Sequence, residues 1–234
     1  MTDRILALIP AKGASQRLPR KNLAELGGRP LIQWASDSAS KSGICTRVIL
    51  STEDELVARR ASELGIEVPF VRPDKLARDP AGVVEVALHA LGELEKAGER
   101  YDTLIILLPS CPFRSAADIK AAHDLFLRRE RPCVMSVSQF DHTPFAALDY
   151  GEDGRLSAIF PQHLGKKSQD MPPAYRPNGA IHVLDVDRFK ARRSYFFEPL
   201  IGYVMPQERS IDIDNELDLV IARSLLSLRP ELGE

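Results

Sequence analysis

A basic stretch that contains glycine follows the first apolar run of the chain, and its residue types suit the binding of an anion. It covers residues 9–22 and has the sequence IPAKGASQRLPRKN. The small residues at positions 13–15 allow backbone N–H groups to approach a phosphate closely. A loop of this kind suits a triphosphate, whose charge must be neutralised before its α-phosphorus is attacked. Its positive charges are Lys12, Arg17, Arg20 and Lys21.

The alternative for this stretch is a solvated basic turn, because short motifs of this kind often occur without a ligand. The spacing matches neither GxxxxGK[ST] nor GxGxxG. It therefore disfavours a P-loop ATPase and a dinucleotide-binding enzyme.

Two aspartates alternate with isoleucines in the segment Ser210–Asp214. On a strand, alternate side chains share a face, so Asp212 and Asp214 would project to one side about 7 Å apart. Because Mg²⁺ usually takes one or two carboxylates together with substrate phosphates, the pair predicts a magnesium site. Alternatively, Asp214 or Asn215 caps the helix that follows and Asp212 faces solvent.

Two further stretches hold candidate ligand-binding side chains. Asn178 lies in a Pro-Asn-Gly sequence, which is typical of a simple turn but also places an amide where it could hold a ligand hydroxyl. Phe196 and Phe197 are adjacent aromatics, which most often belong to a core or an interface. They could also form an apolar patch for an acyl group of a substrate.

The elements that must position these residues follow an alternating pattern. Short apolar runs, nearly continuous in Val, Ile and Leu, are typical of parallel strands that are covered on both faces. Amphipathic stretches between them predict helices, and the alternation predicts an α/β, doubly wound and mostly parallel sheet. The predicted strands are 5–10, 47–51, 103–108, 133–137, 180–184, 201–205 and 210–214, and the predicted helices are 30–42, one from Thr52 with a capping box to Glu55, 83–96, one from Ser115 with a capping box to Asp118, and 216–228.

The alternation stops between residues 140 and 177, where Pro, Gly, Asp and Gln are frequent. We interpret this segment as an inserted arm or lobe within a single domain of residues 1–234, in which Tyr150, Phe160 and Tyr175 provide apolar surface to bury. A length of 234 residues is enough for one α/β domain with a full core.

Composition excludes several classes of protein. The formal net charge of −2 and the pI near 6.2 give no electrostatic reason to expect nucleic acid or an anionic membrane as a partner. No apolar run approaches the ~20 residues of a membrane span, and no signal peptide is visible. The cysteines Cys45, Cys111 and Cys133 include no CxxC pair, so we expect reduced thiols and a cytoplasmic location.

Together these stretches resemble the acylneuraminate cytidylyltransferases, the CMP-sialic acid synthetases. The resemblance covers nearly the whole chain, in the order and at the spacing of the family. It implies a Rossmann-like nucleotidyltransferase sheet, a bound Mg²⁺ and a homodimer that is built through the inserted lobe. The stretches that carry it are 9–22, the Arg72-Pro pair, 108–114, 175–181, Phe196-Phe197 and 205–219.

The resemblance also implies roles for single residues. Nucleotide-binding positions of the family correspond to Lys12, Gln16, Arg17, Lys21, Asn22 and Arg72. Asp212 and Asp214 correspond to its metal ligands and, with Lys21, to its catalytic residues. Its sugar-side positions correspond to Leu108, Asn178, His182, Phe196 and Phe197. The resemblance also implies that the two phenylalanines reach the site of a neighbouring subunit.

Several positions differ from the usual residues of the family. Lys12 replaces an arginine and Gln16 a lysine, with Arg17 beside it. Leu108 replaces a glutamine and His182 a tyrosine. Ala146 stands at or near a lysine position and Ser168 at an arginine position. The carboxylates match while the sugar-side residues vary, so the differences concern the identity of the sugar more than the reaction.

The predicted reaction is the attack of the anomeric hydroxyl of a nine-carbon 2-keto sugar acid on the α-phosphorus of CTP, with release of pyrophosphate. N-Acylneuraminate, legionaminate and pseudaminate types are all candidate acids. The alternatives are a cytidylyltransferase for the eight-carbon acid KDO, a non-catalytic nucleotide-binding homologue, and an interaction module that binds no CTP.

Overall fold

A computed structural model describes residues 3–233 of the chain, and a six-stranded sheet forms its centre. The strand order is β10-β6-β9-β5-β1-β4, and every strand except β9 runs in the same direction. The mostly parallel sheet that the sequence predicts is therefore confirmed. The strands are β1 (Ile5–Pro10), β2 (Glu25–Leu26), β3 (Arg29–Pro30), β4 (Arg47–Ser51), β5 (Thr103–Ile106), β6 (Cys133–Gln139), β7 (Leu148–Tyr150), β8 (Leu156–Ala158), β9 (Tyr175–Asp185) and β10 (Leu200–Val204).

Helices cover both faces of this sheet. The α-helices are α1 (Leu31–Ser42), α2 (Glu55–Glu63), α3 (Val83–Lys96), α4 (Ala116–Arg128), α5 (Val186–Arg192) and α6 (Glu216–Leu228). Single 3₁₀ turns lie at Lys21–Leu23, Asp74–Ala77, Pro144–Ala146, Pro161–His163, Ser168–Asp170, Gln207–Arg209 and Pro230–Gly233.

The alternation of side chains along β1 shows how the two faces are filled. Ala7 and Ile9 point into a core formed with α1, α2 and α4, whereas Leu6 and Leu8 point into a core formed with α3 and α5. A third apolar cluster packs α6 against α1 and includes Trp34 and Ile213. The fold is thus doubly wound. Separately, none of the described helices is long and apolar enough to cross a membrane.

Two local predictions were wrong. Residues 210–214 form an irregular segment outside the sheet, because this segment follows a 3₁₀ turn and Ile213 N–H donates to the carbonyl of Ser110 instead of joining a strand. Helix α2 begins after Asp54, whose carboxylate accepts from Val57 N–H, and not at Thr52. Thr52 is buried, and its carbonyl accepts from Arg72 N–H.

The chain between β6 and β9 contains the β7–β8 hairpin and the 3₁₀ turns between residues 144 and 170. Its aromatic side chains are less buried than the sequence predicted, since Tyr150 is 73% exposed and Tyr175 is 47% exposed. Phe160 does pack, with its ring edge-on to Phe145 at 5.5 Å. Most of the apolar surface of the segment therefore faces outward.

Candidate active site at the carboxyl ends of the strands

The predicted site residues follow strands that end at one edge of the sheet. The basic loop follows β1, residues 52–54 follow β4, the 107–114 loop follows β5, and the 205–214 segment follows β10. Since β9 is antiparallel, its first residues lie at this same edge. Open α/β sheets bind ligands at this position.

The first of two neighbouring clefts, the cationic cleft, brings together several residues that were predicted separately. Its charged and polar side chains come from the basic loop and from Arg72, and its apolar wall comes from the turn at Asp74–Ala77 and the start of α3. The lining residues are Pro10, Lys12, Lys21, Asn22, Arg72, Leu76, Ala77, Ala81, Gly82, Val83, Val86, Leu108, Pro109 and Ser110.

Internal hydrogen bonds shape the basic loop. The buried Asn22 side chain donates to the carbonyl of Lys12 at 2.8 Å, which ties the two ends of the loop together. Gly13 N–H donates to a Glu53 carboxylate oxygen at 2.8 Å. A Cβ atom on Gly13 would collide with the Asp54 side chain, so only glycine allows this close approach.

The second cleft, the acidic cleft, contains both predicted metal ligands. Ile213 between them is buried, and Ile211 is partly buried in the same apolar cluster. The aspartates therefore face the cleft and the isoleucines face the core, as predicted, although the segment is not a strand. The lining residues are Arg17, Ser138, Asp141, Arg176, Pro177, Asn178, Gln207, Ser210, Ile211, Asp212, Asp214, Asn215, Asp218 and Ile221.

An ion pair joins the two clefts. Lys21 Nζ lies 3.0 Å from one carboxylate oxygen of Asp214, and Arg17 Nη2 lies 2.8 Å from the other. Burial acts to raise the pKa of Asp214, but the hydrogen bond and the charge of Lys21, together with Arg17, lower it overall. Asp214 is therefore ionised at neutral pH, with two cations beside it.

The capping alternative applies to Asn215 and not to Asp214. Asn215 accepts from Asp218 N–H at 3.1 Å and begins α6. The Asp218 carboxylate accepts from the backbone N–H groups of Asp214 and Asn215 in return. The Asp214 carboxylate takes no part in this cap and forms ion pairs with Lys21 and Arg17 instead.

Glu53 is a site residue that the sequence analysis missed. Its carboxylate forms an ion pair with the Arg72 guanidinium, which is 2% exposed, and accepts from Gly13 N–H of the basic loop. Its position two residues after the end of a predicted parallel strand was a signal that could have identified it. Arg176, which lines the acidic cleft, was missed as well.

Asn178 lies at the base of the acidic cleft with its side chain bonded inside the fold. Its Oδ1 accepts from Ser136 Oγ at 2.5 Å and from Ala180 N–H at 3.1 Å, and its Nδ2 donates to Ser210 Oγ at 2.9 Å. These bonds tie β9 to β6 and to the 205–214 segment. They fit a structural role, and a contact of Asn178 with sugar stays a prediction.

The Cys111 thiol lies next to this network. It donates to the carbonyl of Asn178 at 3.0 Å and lies 3.7 Å from an Asp212 oxygen. Burial, followed by the Asp212 charge, raises the pKa of Cys111 far above its usual value, so the thiol is protonated and is no nucleophile.

Leu108 lies between the cationic cleft and the core. Its side chain lines the cleft and packs against the apolar cluster below it. Its carbonyl accepts from the buried Arg114 guanidinium, which also donates to Ala180 and so fixes the loop after β5. The structure thus places Leu108 with the predicted phosphate residues as well as near β9.

Neither cleft is lined by the remaining predicted sugar-side residues, His182, Phe196 and Phe197, and the first two of them contact Tyr195. His182 is buried edge-on to the Tyr195 ring at 4.9 Å, and its Nδ1 has no partner among the described residues. Burial lowers the pKa of His182 to about 4, so its ring is neutral. Phe196 is exposed and contacts Tyr195, whereas Phe197 packs against the core.

Gln16 is exposed on the basic loop, next to Arg17. Its assignment to nucleotide phosphate stays a prediction.

The acidic cleft fits a divalent cation that also binds substrate. No group of three or more His, Cys, Asp or Glu side chains that could hold a metal occurs among residues 3–233. Asp212 and Asp214 nevertheless offer the carboxylate oxygens that Mg²⁺ prefers, and Mg²⁺ commonly completes its shell with phosphate and water.

Comparison with known proteins finds cytidylyltransferases among the relatives of the chain. Residues 6–103 match the family model for cytidylyltransferase. The chain is 29% identical over 227 residues to a pseudaminic acid cytidylyltransferase of Campylobacter jejuni, with 97% of each chain covered. It is also 29% identical over 235 residues to the CMP-N,N'-diacetyllegionaminic acid synthase of Legionella pneumophila, with 97% of this chain and 98% of that one covered.

A solved structure has the same fold. The CMP:2-keto-3-deoxy-manno-octonic acid synthetase complexed with CTP superposes with a TM-score of 0.71 at 14% identity, and the match covers 97% of this chain and 99% of that chain. This confirms the Rossmann-like fold. With the family model and the full-length relatives, it leads to one conclusion: the chain is a nucleotidyltransferase that is similar over nearly its whole length to the acylneuraminate-type cytidylyltransferases.

Proposed function

We propose that the protein transfers CMP from CTP to the anomeric hydroxyl of a nonulosonic acid and releases pyrophosphate. The observation that carries this proposal is the contact of Lys21 with Asp214, which joins a cationic cleft to an acidic one. A triphosphate can then lie along the lysines while its α-phosphorus faces the carboxylates. The names of the two full-length relatives support an acid of this class as the acceptor.

The donor nucleotide occupies the cationic cleft in this proposal. Lys12 and Lys21 neutralise the phosphates, and the apolar wall at Leu76, Val83 and Val86 takes the flat base. Arg72 offers only hydrogen-bond donors. Donors suit the N3 and O2 acceptors of cytosine better than uracil, whose N3 carries a hydrogen.

The acceptor acid occupies the acidic cleft. Arg176 provides a positive charge for its carboxylate, and Gln207 offers an amide for its hydroxyl groups. The anomeric hydroxyl loses its proton to solvent as its oxygen forms a bond to the α-phosphorus, and the bond from that phosphorus to the bridging oxygen of the β-phosphate breaks, so that pyrophosphate leaves. Lys21, Lys12 and Arg17 stabilise the charge on the departing pyrophosphate.

Asp212 and Asp214 would hold the divalent cation, and we propose Mg²⁺ because both ligands are carboxylates. When bound, the cation neutralises phosphate oxygens and makes the attacking hydroxyl more acidic. Lys21 and Arg17 lie against Asp214 and are in place to bind the phosphates that arrive with the cation.

The acid is proposed to be a deoxygenated one, such as a pseudaminic or legionaminic acid, in preference to N-acetylneuraminate. Leu108 lines the cationic cleft, and its side chain also lies against Gly179, next to Asn178 of the acidic cleft. This apolar side chain at the border of the two clefts can neither donate nor accept a hydrogen bond. An unpaired polar group of the sugar beside it would cost on the order of 1–3 kcal/mol, whereas a methyl group would not. Two relatives that match over nearly their whole length are named for pseudaminic acid and for diacetyllegionaminic acid.

A pyrophosphate-release assay with CTP, Mg²⁺ and a panel of acids tests this function. We expect turnover with pseudaminic or legionaminic acid, weaker turnover with N-acetylneuraminate, and least with KDO. Competition among the acids for limiting enzyme gives their order. A preference for N-acetylneuraminate, or an unchanged order in Leu108→Gln, would contradict the role of Leu108.

A thermal-shift scan with the four nucleoside triphosphates and Mg²⁺ distinguishes an enzyme from an interaction module. Selective stabilisation by CTP would exclude the interaction module. Nucleotide binding without turnover of any acid would instead favour a non-catalytic homologue.

Lys21→Ala should lower kcat/KM at least roughly a hundredfold if this lysine stabilises the transition state.

A further inference from the structure

We infer that Glu53 is a positioning residue that holds the two walls of the cationic cleft together and thereby sets the affinity for the nucleotide. The inference rests on the proposed function, since it concerns the same cleft. Glu53 stands at the carboxyl end of β4, between the basic loop on one side and the chain around Arg72 on the other.

Three consecutive residues at the carboxyl end of β4 contact both walls in turn. The carbonyl of Ser51 accepts from Ala11 N–H at 3.0 Å, and that of Thr52 accepts from Arg72 N–H at 3.0 Å. The Glu53 side chain then repeats both connections, because Oε1 accepts from Gly13 N–H at 2.8 Å and Oε2 accepts from Arg72 Nε at 3.1 Å.

The negative charge of Glu53 balances the buried positive charge of Arg72. The side chain of Arg72 is 2% exposed and that of Glu53 is 11% exposed, so neither charge is solvated well enough to stand alone. Arg72 lines the cleft, and its guanidinium orientation is set by the bonds from Nε and Nη2 to one carboxylate oxygen. Without the carboxylate, the guanidinium would lose this orientation.

The contact with the loop adds a second effect. Gly13 is the small residue through which the basic loop approaches the chain after β4, and the loop carries Lys12 and Lys21. One carboxylate thus fixes the distance between the lysines on one wall and the arginine on the other. Glu53 itself need not touch the nucleotide, so its loss should weaken binding more than it slows the chemical step.

Isothermal titration of CTP and Mg²⁺ into Glu53→Gln tests the inference, together with steady-state kinetics. Glutamine keeps the size of the side chain but removes the charge opposite Arg72. We expect the Kd and the KM for CTP to rise at least about tenfold, while kcat at saturating CTP changes by less than about threefold. Glu63→Gln removes an exposed carboxylate of α2 and serves as the matched control, with unchanged Kd.

Glu53→Asp provides a second variant if Glu53→Gln does not fold. It retains the charge beside Arg72, but its side chain is one methylene too short to reach Gly13 N–H as well, so the same rise in Kd is expected. A folded Glu53 variant with a Kd within about twofold of the wild type would overturn the inference and leave the proposed function intact. If the wild-type protein itself binds no CTP, both fail together.

Discussion

Asp214 has a different environment from Asp212, although the two carboxylates line one cleft. Asp214 lies between Lys21 and Arg17, whereas Asp212 is exposed and lies near the Cys111 thiol. The pair can act together only if a further cation joins them, since no described side chain bridges both. This arrangement favours a metal site over a structural pair.

Asp212→Asn and Asp214→Asn should each abolish turnover while the protein stays folded, because an amide is a poor ligand for a hard cation. Asp214→Asn should also cost up to about 1 kcal/mol of unfolding free energy, since it weakens two partly exposed ion pairs. Rates at saturating Mg²⁺ and urea unfolding measure the two effects. Asp124→Asn on α4 is the exposed control, and near-wild-type rates in both site variants would refute the metal assignment.

His182 gives a prediction about pH. Its pKa is about 4 in the folded protein but about 6.5 in the unfolded chain, so the unfolded chain binds the extra proton between these values. Stability should therefore fall as the pH drops below about 6.5, by up to ~1.4 kcal/mol per pH unit from this group.

Urea unfolding of the wild type and of His182→Phe measures this effect. Between pH 7 and pH 5 the wild type should lose about 2 kcal/mol more unfolding free energy than the variant. The exposed His142, replaced by Gln, should leave the wild-type dependence unchanged. Equal losses in the wild type and in His182→Phe would show that His182 accepts a proton in the folded state.

At the scale of elements, the sequence predicted best what depends on neighbouring residues. The capping box of Ser115 with Asp118 was predicted, and the structure contains both of its bonds. The start of α2 was placed wrongly at Thr52, because a distant residue, Arg72, uses the Thr52 carbonyl. The 210–214 segment has the alternation of a strand, yet its pairing depends on Ser110 in another loop, which no local pattern reveals.

For the candidate site, too, the sequence predicted single residues but not their long-range contacts. Lys21 and Asp214 were each identified from their own motifs, but they lie 193 positions apart in the sequence, and only the fold shows their contact. Glu53 was missed because its position after a strand was its only local signal, and the partners that give it a role, Gly13 and Arg72, are distant in the sequence. The internal bonds of Asn178, likewise, depend on Ser136 and Ser210, which lie far away in the sequence.

Ser115→Ala tests the cap of α4. The Ser115 hydroxyl accepts from Asp118 N–H at 3.1 Å, and its loss should lower the unfolding free energy by about 1 kcal/mol. Ser62→Ala removes an exposed hydroxyl within α2 and should change it by less than ~0.5 kcal/mol. Urea denaturation compares the two variants, and equal small effects would mean that the cap contributes little.

At the scale of the whole molecule, the segment between β6 and β9 presents several large apolar side chains to solvent. Leu148, Tyr150, Leu156 and Leu164 are all exposed in the single chain. Exposed apolar side chains that form a patch often mark a protein–protein interface. The family resemblance assigns this segment to dimerisation, and the exposure of its side chains agrees with that role.

We therefore expect a homodimer in solution at micromolar concentration, measured by light scattering coupled to size-exclusion chromatography. Leu156→Asp together with Leu164→Asp should shift the protein toward the monomer without unfolding it, because neither side chain belongs to the core. A wild-type monomer would remove the proposed role of this segment. It would also remove the contact of Phe196 with a neighbouring subunit that the resemblance implies.

The most direct test of the proposed function is mass spectrometry of the products formed from CTP, Mg²⁺ and pseudaminic or legionaminic acid. We expect an equimolar yield of pyrophosphate and of the acid joined to CMP through one phosphate ester, with neither product formed by Asp214→Asn. A wild-type protein that binds CTP but never joins CMP to any acid in the panel, or an Asp214→Asn variant that still forms the product, would contradict it.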